Sequence, residues 1–268
     1  PESHQPLLFQ LGVEVGNMVQ IALAVTQTLL GYPVAAREHD RLAFEIAETM
    51  DHYFTLGLSW SQFCILDSIL LDFEAAADKA QKSLDLGNRY NFPNFISHPL
   101  FILGYIRAKN GNHDAEAFAL MEQGLEVDQA IGTRIWRPLH LGQLADAYLV
   151  AGNNDEAQRT IDLALSEVEE TGERFAEAEL YRIRGEIRLQ NHEEESAEEA
   201  FTRAIEVAQK QEARWWQLRA SVSLARLWQT QGKRAEAQDM LADIYGQFTE
   251  GFDTFDLKQA KAVLEILD

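Results

Sequence analysis

Apolar residues recur three and four positions apart along most of the chain, the spacing that puts them on one face of a helix. The stretch Arg134–Gly172 shows the pattern at its clearest. Leu141, Leu144, Ala145 and Tyr148 share a face, Gly152-Asn153-Asn154-Asp155 breaks the period, and Ala157, Ile161, Ala164, Leu165 and Val168 resume it with Asp and Glu elsewhere. Gly152 suits a left-handed helix end, Asn154 or Asp155 is placed to cap the next helix, and Thr171-Gly172 stops it. The reading is a helical hairpin with two apolar faces, which one hairpin cannot bury alone.

The hairpin has neighbours at a step of forty residues. Ala77, Ala117, Ala157, Ala197 and Ala237 fall in one register. Gln81, Met121, Ile161, Phe201 and Leu241 follow four residues on, and Leu84, Gly124, Ala164, Ala204 and Ile244 seven on. Turns fall at Gly111, Gly152, Asn191 and Gly232, and Arg134, Arg174 and Arg214 open three successive hairpins. A fixed period of this size is the mark of a solenoid of stacked helix pairs. The arginines suit the carbonyl end of the preceding helix or an acidic neighbour.

The predicted fold is all-α: about six antiparallel helix pairs in one domain over 1–268, at roughly 7–50, 52–90, 94–130, 134–172, 174–212 and 214–250, with a cap at 253–268. In the cap, Leu257, Ala260, Leu264 and Leu267 form the packed side, and Asp256, Lys258, Lys261 and Glu265 lie elsewhere. The start PESHQPLLFQ lacks a methionine and reads as a boundary inside a longer protein. Adjacent Trp215 and Trp216 point about 100° apart on a helix, so one is expected in the core and one at an inter-repeat boundary.

Within Arg134–Gly172, the order Leu144-Ala145-x-x-Tyr148, Gly152, Ala157, Ile161, Ala164 resembles the tetratricopeptide repeat (TPR), and Gly104 and Gly185 fill its close-contact glycine. The period is longer than the usual 34, and the repeat's tryptophan and terminal proline are missing. The longer helices resemble the C-terminal sensor regions of bacterial regulators, both LuxR-type ATP-binding transcriptional activators and adenylate cyclase or ATPase fusion proteins. Segments Glu173–Gln190 and Ala213–Ala260 carry that likeness. The resemblance implies a right-handed superhelix and a regulatory, cytoplasmic role.

Composition narrows the function. With 43 acidic against 23 basic residues the net charge is −20, which disfavours nucleic-acid binding and docking on anionic lipid. The single cysteine, Cys64, excludes an internal disulfide, fits a reducing compartment and reads as a buried, inert thiol. Gln10, Glu14, Asn17, Gln20 and Gln27 interrupt the most apolar run, 7–31, so it reads as a buried helix rather than a membrane span. There is no Gly-rich phosphate loop, and the seven histidines show no metal-ligand spacing. No enzyme, cofactor or metal is expected.

Function then falls to the groove lined by the first helix of each pair. In the repeat register its inward positions are Trp60, His98, Phe101, Tyr105, Asp146, Glu179, Arg182, Glu186, Arg219 and Arg226, and Trp136, Arg137 and His140 could reach it. The arginines suit a carboxylate or phosphate. The alternative is that Glu179, Arg182 and Glu186 simply pair along their own helix and the aromatics pack between repeats. The expected partner is a protein segment or another domain of the parent, with a metabolite receptor or an oligomerisation arm as alternatives.

Overall fold

The computed structural model describes residues 14–50, 52–112 and 114–268. The first pair's predicted start at 7–13 and His113 lie outside them. Among the described residues there are thirteen α-helices and no strand. They are α1 Val15–Leu30, α2 Pro33–Thr49, α3 Tyr53–Ile69, α4 Phe73–Tyr90, α5 Ser97–Lys109, α6 Ala115–Ile131 and α7 Arg137–Val150, then α8 Asn154–Thr171, α9 Glu177–Gln190, α10 Glu194–Lys210, α11 Arg214–Thr230, α12 Arg234–Tyr245 and α13 Phe255–Leu267. A short 3-10 turn, Pro93–Phe95, precedes α5. None of these helices is long and apolar enough to cross a membrane.

The backbone repeats as the side chains do. Left-handed residues end the first helix of a pair at Gly31, Leu71, Gly111, Gly152, His192 and Gly232, and a second series separates pairs at Asn91, Gly132, Gly172, Glu212 and Gly251. In the fifth pair the left-handed residue is His192, one position after the expected Asn191, with φ 63°. Helix α8 is entered through Asn153 with no side-chain cap, rather than through Asn154 or Asp155. Asp72 and Asp114 do cap, accepting from the backbone N–H of Ala75 and Ala117.

The alanine register holds in four repeats and slips by one in another. Ala117, Ala157, Ala197 and Ala237 have no exposed surface. Beside them the buried alanine of α4 is Ala76, not Ala77, and the next buried positions are Ala80 and Ser83, not Gln81 and Leu84. The slip explains why Gln81 broke an otherwise apolar column, since it points to solvent. Gly104 and Gly185 mark the closest approaches. A Cβ at Gly104 would lie 2.6 Å from the Ala117 carbonyl oxygen, and one at Gly185 would lie 2.4 Å from the Phe201 ring.

The helices form two compact units. The first takes residues 14–28 and 32–134 of those described, the second 29–31 and 135–268. In the first, the buried Asn17 side chain donates to the Ala43 carbonyl and the Ser59 hydroxyl, both at 2.8 Å, tying α1 to α2 and α3. Asp67, only 1% exposed, accepts from Arg37 and from Lys79 at 2.7 Å, and Lys79 also reaches Asp40 at 2.5 Å. Burial pushes the Asp67 carboxyl up, opposed by Lys79 and Arg37. Cys64 is fully buried and burial drives its thiol well up, consistent with an inert core residue.

In the second unit each first helix packs on its own partner and on the first helices beside it: α9 meets α10, α7 and α11, and α13 closes on α11 and α12. Ala197, Phe201, Leu224 and Leu227 form one core cluster. Trp215 and Trp216 are both buried, at 0% and 1% exposure, because α11 is covered from two sides. The two are buried in different interfaces, Trp216 at the boundary with the preceding repeat. Trp215 packs against Phe248, and Trp216 donates its indole N–H to the Phe175 carbonyl at 3.1 Å.

Candidate interaction surface

Four helices of the second unit, α7, α9, α11 and α13, present a continuous row of polar side chains. Arg182 on α9 reaches Glu179 twice, through Nε and Nη2 at 2.8 Å each, and Glu186 through Nη1 at 3.3 Å. Arg219 on α11 grips Asp256 of α13 with two prongs, Nε–Oδ1 at 2.9 Å and Nη2–Oδ2 at 2.7 Å, and its Nη1 reaches Glu179 at 3.4 Å. The Ser223 hydroxyl donates to Glu186 at 2.6 Å, and Arg226 donates to Gln259 at 2.7 Å. The Arg219 guanidinium also lies 5.1 Å from the Trp216 ring.

Burial by itself disfavours the charge on Arg182. Glu179 first, then Glu186 and Asp146, more than offset it, so its proton is held more tightly than usual. Arg219 behaves alike, with burial opposed by Asp256 and Glu179. Two guanidiniums thus face four carboxylates, those of Asp146, Glu179, Glu186 and Asp256. Every donor edge of Arg182 and Arg219 is directed into this internal network. That corrects the expectation of arginines ready to grip an anionic ligand. It matches the helix-pairing alternative along α9 and extends it across three helices.

The remaining predicted positions divide by burial. Phe101 and His140 have no exposed surface, and His98 and Tyr105 are 6% and 5% exposed. On α5 and α7 these four lie beneath the second helix of their own pair and the first helix beside it, α3 for α5 and α9 for α7, which keeps them from the groove surface. Tyr105 meets Phe73 edge-on, and His98 lies 3.6 Å from Asp128. Trp60 is half-buried with its ring 6.4 Å from Phe44. Asp146, Arg182, Glu186 and Arg219 are half-buried, Glu179 is buried, and Arg226 is exposed. So the second unit brings together Asp146, Glu179, Arg182, Glu186, Arg219 and Arg226, and it adds Ser223, Asp256 and Gln259.

Trp136 and Arg137 sit where the chain enters α7. Trp136 takes φ 67°, a conformation bulky residues rarely adopt. Its N–H donates to the Glu173 carboxylate at 3.1 Å and its ring meets Phe175 edge-on at 5.1 Å. Burial raises the Glu173 carboxyl, partly offset by that N–H. Arg137 pairs with Glu167 at 3.0 Å, and Arg174 pairs with Glu169 and Glu177, so both arginines have acidic neighbours.

Trp136, Phe175 and Trp216 form an aromatic series at the starts of α7, α9 and α11, and Phe54 and Phe95 meet at 4.9 Å in the first unit. The series steps by 39 and 41 residues rather than by the forty of the alanines, and its chemistry alternates between Trp and Phe, which together hid it. A small pocket of about 220 Å³ between α1 and α2, lined by Leu42, Ile46 and Met50 among others, is smaller than most ligand sites.

The tetratricopeptide repeat family matches residues 138–162 and 218–243, which cover α7–α8 and α11–α12. The uncharacterized protein R02095 of Rhizobium meliloti (strain 1021) is 27% identical over 157 residues, 58% of this chain and 15% of that protein. The crystal structure of yeast Tom70 is similar with a TM-score of 0.55 and 14% identity, covering 94% of this chain and 53% of that one. The chain therefore spans about half the length of the Tom70 chain and a small part of the R02095 protein. Repeat match and shared fold together make this an all-α solenoid, a TPR-like helical repeat domain.

Proposed function

We propose that the chain is a non-catalytic scaffold that binds a protein segment along the first-helix row of its second unit. The observation that carries this is the linked row itself. Glu179 is shared by Arg182 and Arg219, and Glu186 by Arg182 and Ser223, so the polar groups are fixed relative to one another across successive repeats. A rigid polar surface loses little side-chain freedom when a partner docks. Repeat scaffolds expose extended surfaces of this kind.

Its place in a larger protein is proposed from the resemblance to bacterial regulators and from the R02095 relative, in which the matching part is 15% of the whole. The scaffold would act as the sensor arm of a signalling or transcription-regulating ATPase or cyclase, its occupancy shifting the effector between states. The test is selection of peptides from a random display library on the immobilised chain. Glu186→Lys and Arg226→Glu, each at a residue with exposed surface, are expected to weaken selected peptides by at least about tenfold; Arg226→Glu leaves the melting temperature unchanged, whereas Glu186→Lys lowers it by removing a carboxylate that pairs with Arg182. Selected peptides that bind both variants as they bind the parent would overturn the assignment.

A further inference from the structure

The charges of the first-helix row balance in its buried layer but not at its surface. Arg182 gives its two shorter bonds, 2.8 Å each, to Glu179, and Arg219 gives its two, 2.9 and 2.7 Å, to Asp256. The side chains of Glu179 and Asp256 are 8% and 7% exposed, so two guanidiniums balance two carboxylates where water is scarce. Asp146 and Glu186 remain as surplus negative charge. Arg182 reaches Glu186 only at 3.3 Å, and the Glu186 side chain is 32% exposed. The bonds from Arg182 and Ser223 both fall on Glu186 Oε1, and among the described residues its Oε2 accepts none. Arg226 is exposed and donates through Nη2 to Gln259. Asp146, Glu186 and Arg226 stand forty residues apart on α7, α9 and α11, so they hold one place in three successive repeats.

Charge complementarity selects the occupant of this row. We infer that the docked segment is basic where it crosses α7 and α9 and carries a carboxylate where it crosses α11, an inference that rests on the scaffold reading of the same row. One Lys or Arg of the segment donates to Glu186 Oε2, a charge-assisted bond of the stronger kind, and a second faces Asp146. The outer edge of the Arg226 guanidinium takes the carboxylate. Helix α7 packs beside α9, and α9 beside α11. Packed helix axes lie about 8–10 Å apart and an extended chain advances about 3.3 Å per residue, so one repeat corresponds to about three residues. The segment then reads Lys/Arg-x-x-Lys/Arg-x-x-Asp/Glu, in either chain direction. An acidic segment meets Asp146 and Glu186 with like charge and is rejected. The net charge of −20 draws basic segments towards the chain, and salt screens that attraction.

The test reads the sequences of peptides selected from a random display library on the full 268-residue chain, then titrates one selected peptide by fluorescence anisotropy. Enrichment of two basic residues about three apart, with an acidic residue about three beyond, is the expected result. Selected peptides that are neutral or acidic overturn the charge assignment while leaving the scaffold reading in place, and a library that yields no binder overturns both. In the titration, exchanging the peptide's acidic residue for lysine is expected to weaken binding about tenfold. Arg226→Glu, at an exposed residue, is expected to reverse that order, so that the lysine peptide binds better. An order unchanged in Arg226→Glu overturns the placing of the carboxylate at Arg226. Raising the salt from about 0.05 to about 0.5 M is expected to weaken the wild-type complex about tenfold or more, and an affinity indifferent to salt overturns the electrostatic basis of the selection.

Discussion

Arg219 on α11 and Asp256 on α13 face each other in a two-pronged ion pair, with donor–acceptor distances of 2.9 and 2.7 Å. Their side chains are only 11% and 7% exposed. The pair joins the last helix of the second unit to the first helix of the last pair, and through Glu179 it reaches α9. Removing the guanidinium leaves the Asp256 carboxylate nearly buried and unpaired. Arg219→Ala is expected to cost about 3 kcal/mol, read as faster amide hydrogen exchange in α11–α13. Arg219→Ala combined with Asp256→Leu should recover much of that loss. An Arg219→Ala protein with wild-type exchange would contradict the assigned role.

The close-contact glycines separate two kinds of cost. At Gly104 an added methyl meets backbone, the Ala117 carbonyl oxygen, whereas at Gly185 it meets the Phe201 ring. Overpacking of this kind costs about 1–3 kcal/mol. Gly104→Ala should therefore lower stability towards the upper end of that range, since backbone cannot rotate aside. Gly185→Ala should cost less if Phe201 turns. Urea unfolding of the two variants checks the order.

His192 holds a left-handed turn that Gly111, Gly152 and Gly232 hold elsewhere. A side chain in that region costs about 1–2 kcal/mol. His192→Gly is expected to leave α9 and α10 intact and to raise stability by about 1 kcal/mol, once glycine's greater unfolded freedom is subtracted. A lower melting temperature would show that the imidazole makes a compensating contact.

His98 gives the first unit a pH dependence. Burial lowers its pKa from the usual 6.5, and Asp128, 3.6 Å away, only partly opposes the shift. The folded state therefore binds fewer protons than the unfolded state once pH falls below about 6.5. Stability present above that pH is lost as pH falls towards the folded value. Denaturant titrations from neutral pH downward should show this loss, and His98→Gln should flatten it. An unchanged slope in His98→Gln would assign the dependence to other groups.

Much of the repeat was legible in the sequence, because close-packed positions admit only small residues and helix reversals favour glycine. Ala117, Ala157, Ala197 and Ala237 show the first constraint, and Gly111, Gly152 and Gly232 the second. Where a repeat departs from the rule, fixed arithmetic misleads. The one-residue slip that puts Ala76 in place of Ala77, and the left-handed Leu71 and His192, carry no composition signal. The site was less legible. Asp256 reads as a solvent-facing residue of an amphipathic helix until Arg219 is placed opposite it, a pairing across 37 residues. Phe101 and His140 sat on faces assigned to a groove, yet neither has exposed surface. A helical wheel gives direction, but it does not reveal that a first helix is covered on several sides.

The most direct test of the binding face is a hydrogen-exchange footprint of a selected peptide on the intact chain. Protection is expected along α7, α9 and α11, from Asp146 through Glu186 to Arg226, with the amides of α8 and α10 unchanged. Protection confined to α8 and α10, or to the first unit, would contradict binding along the first-helix row.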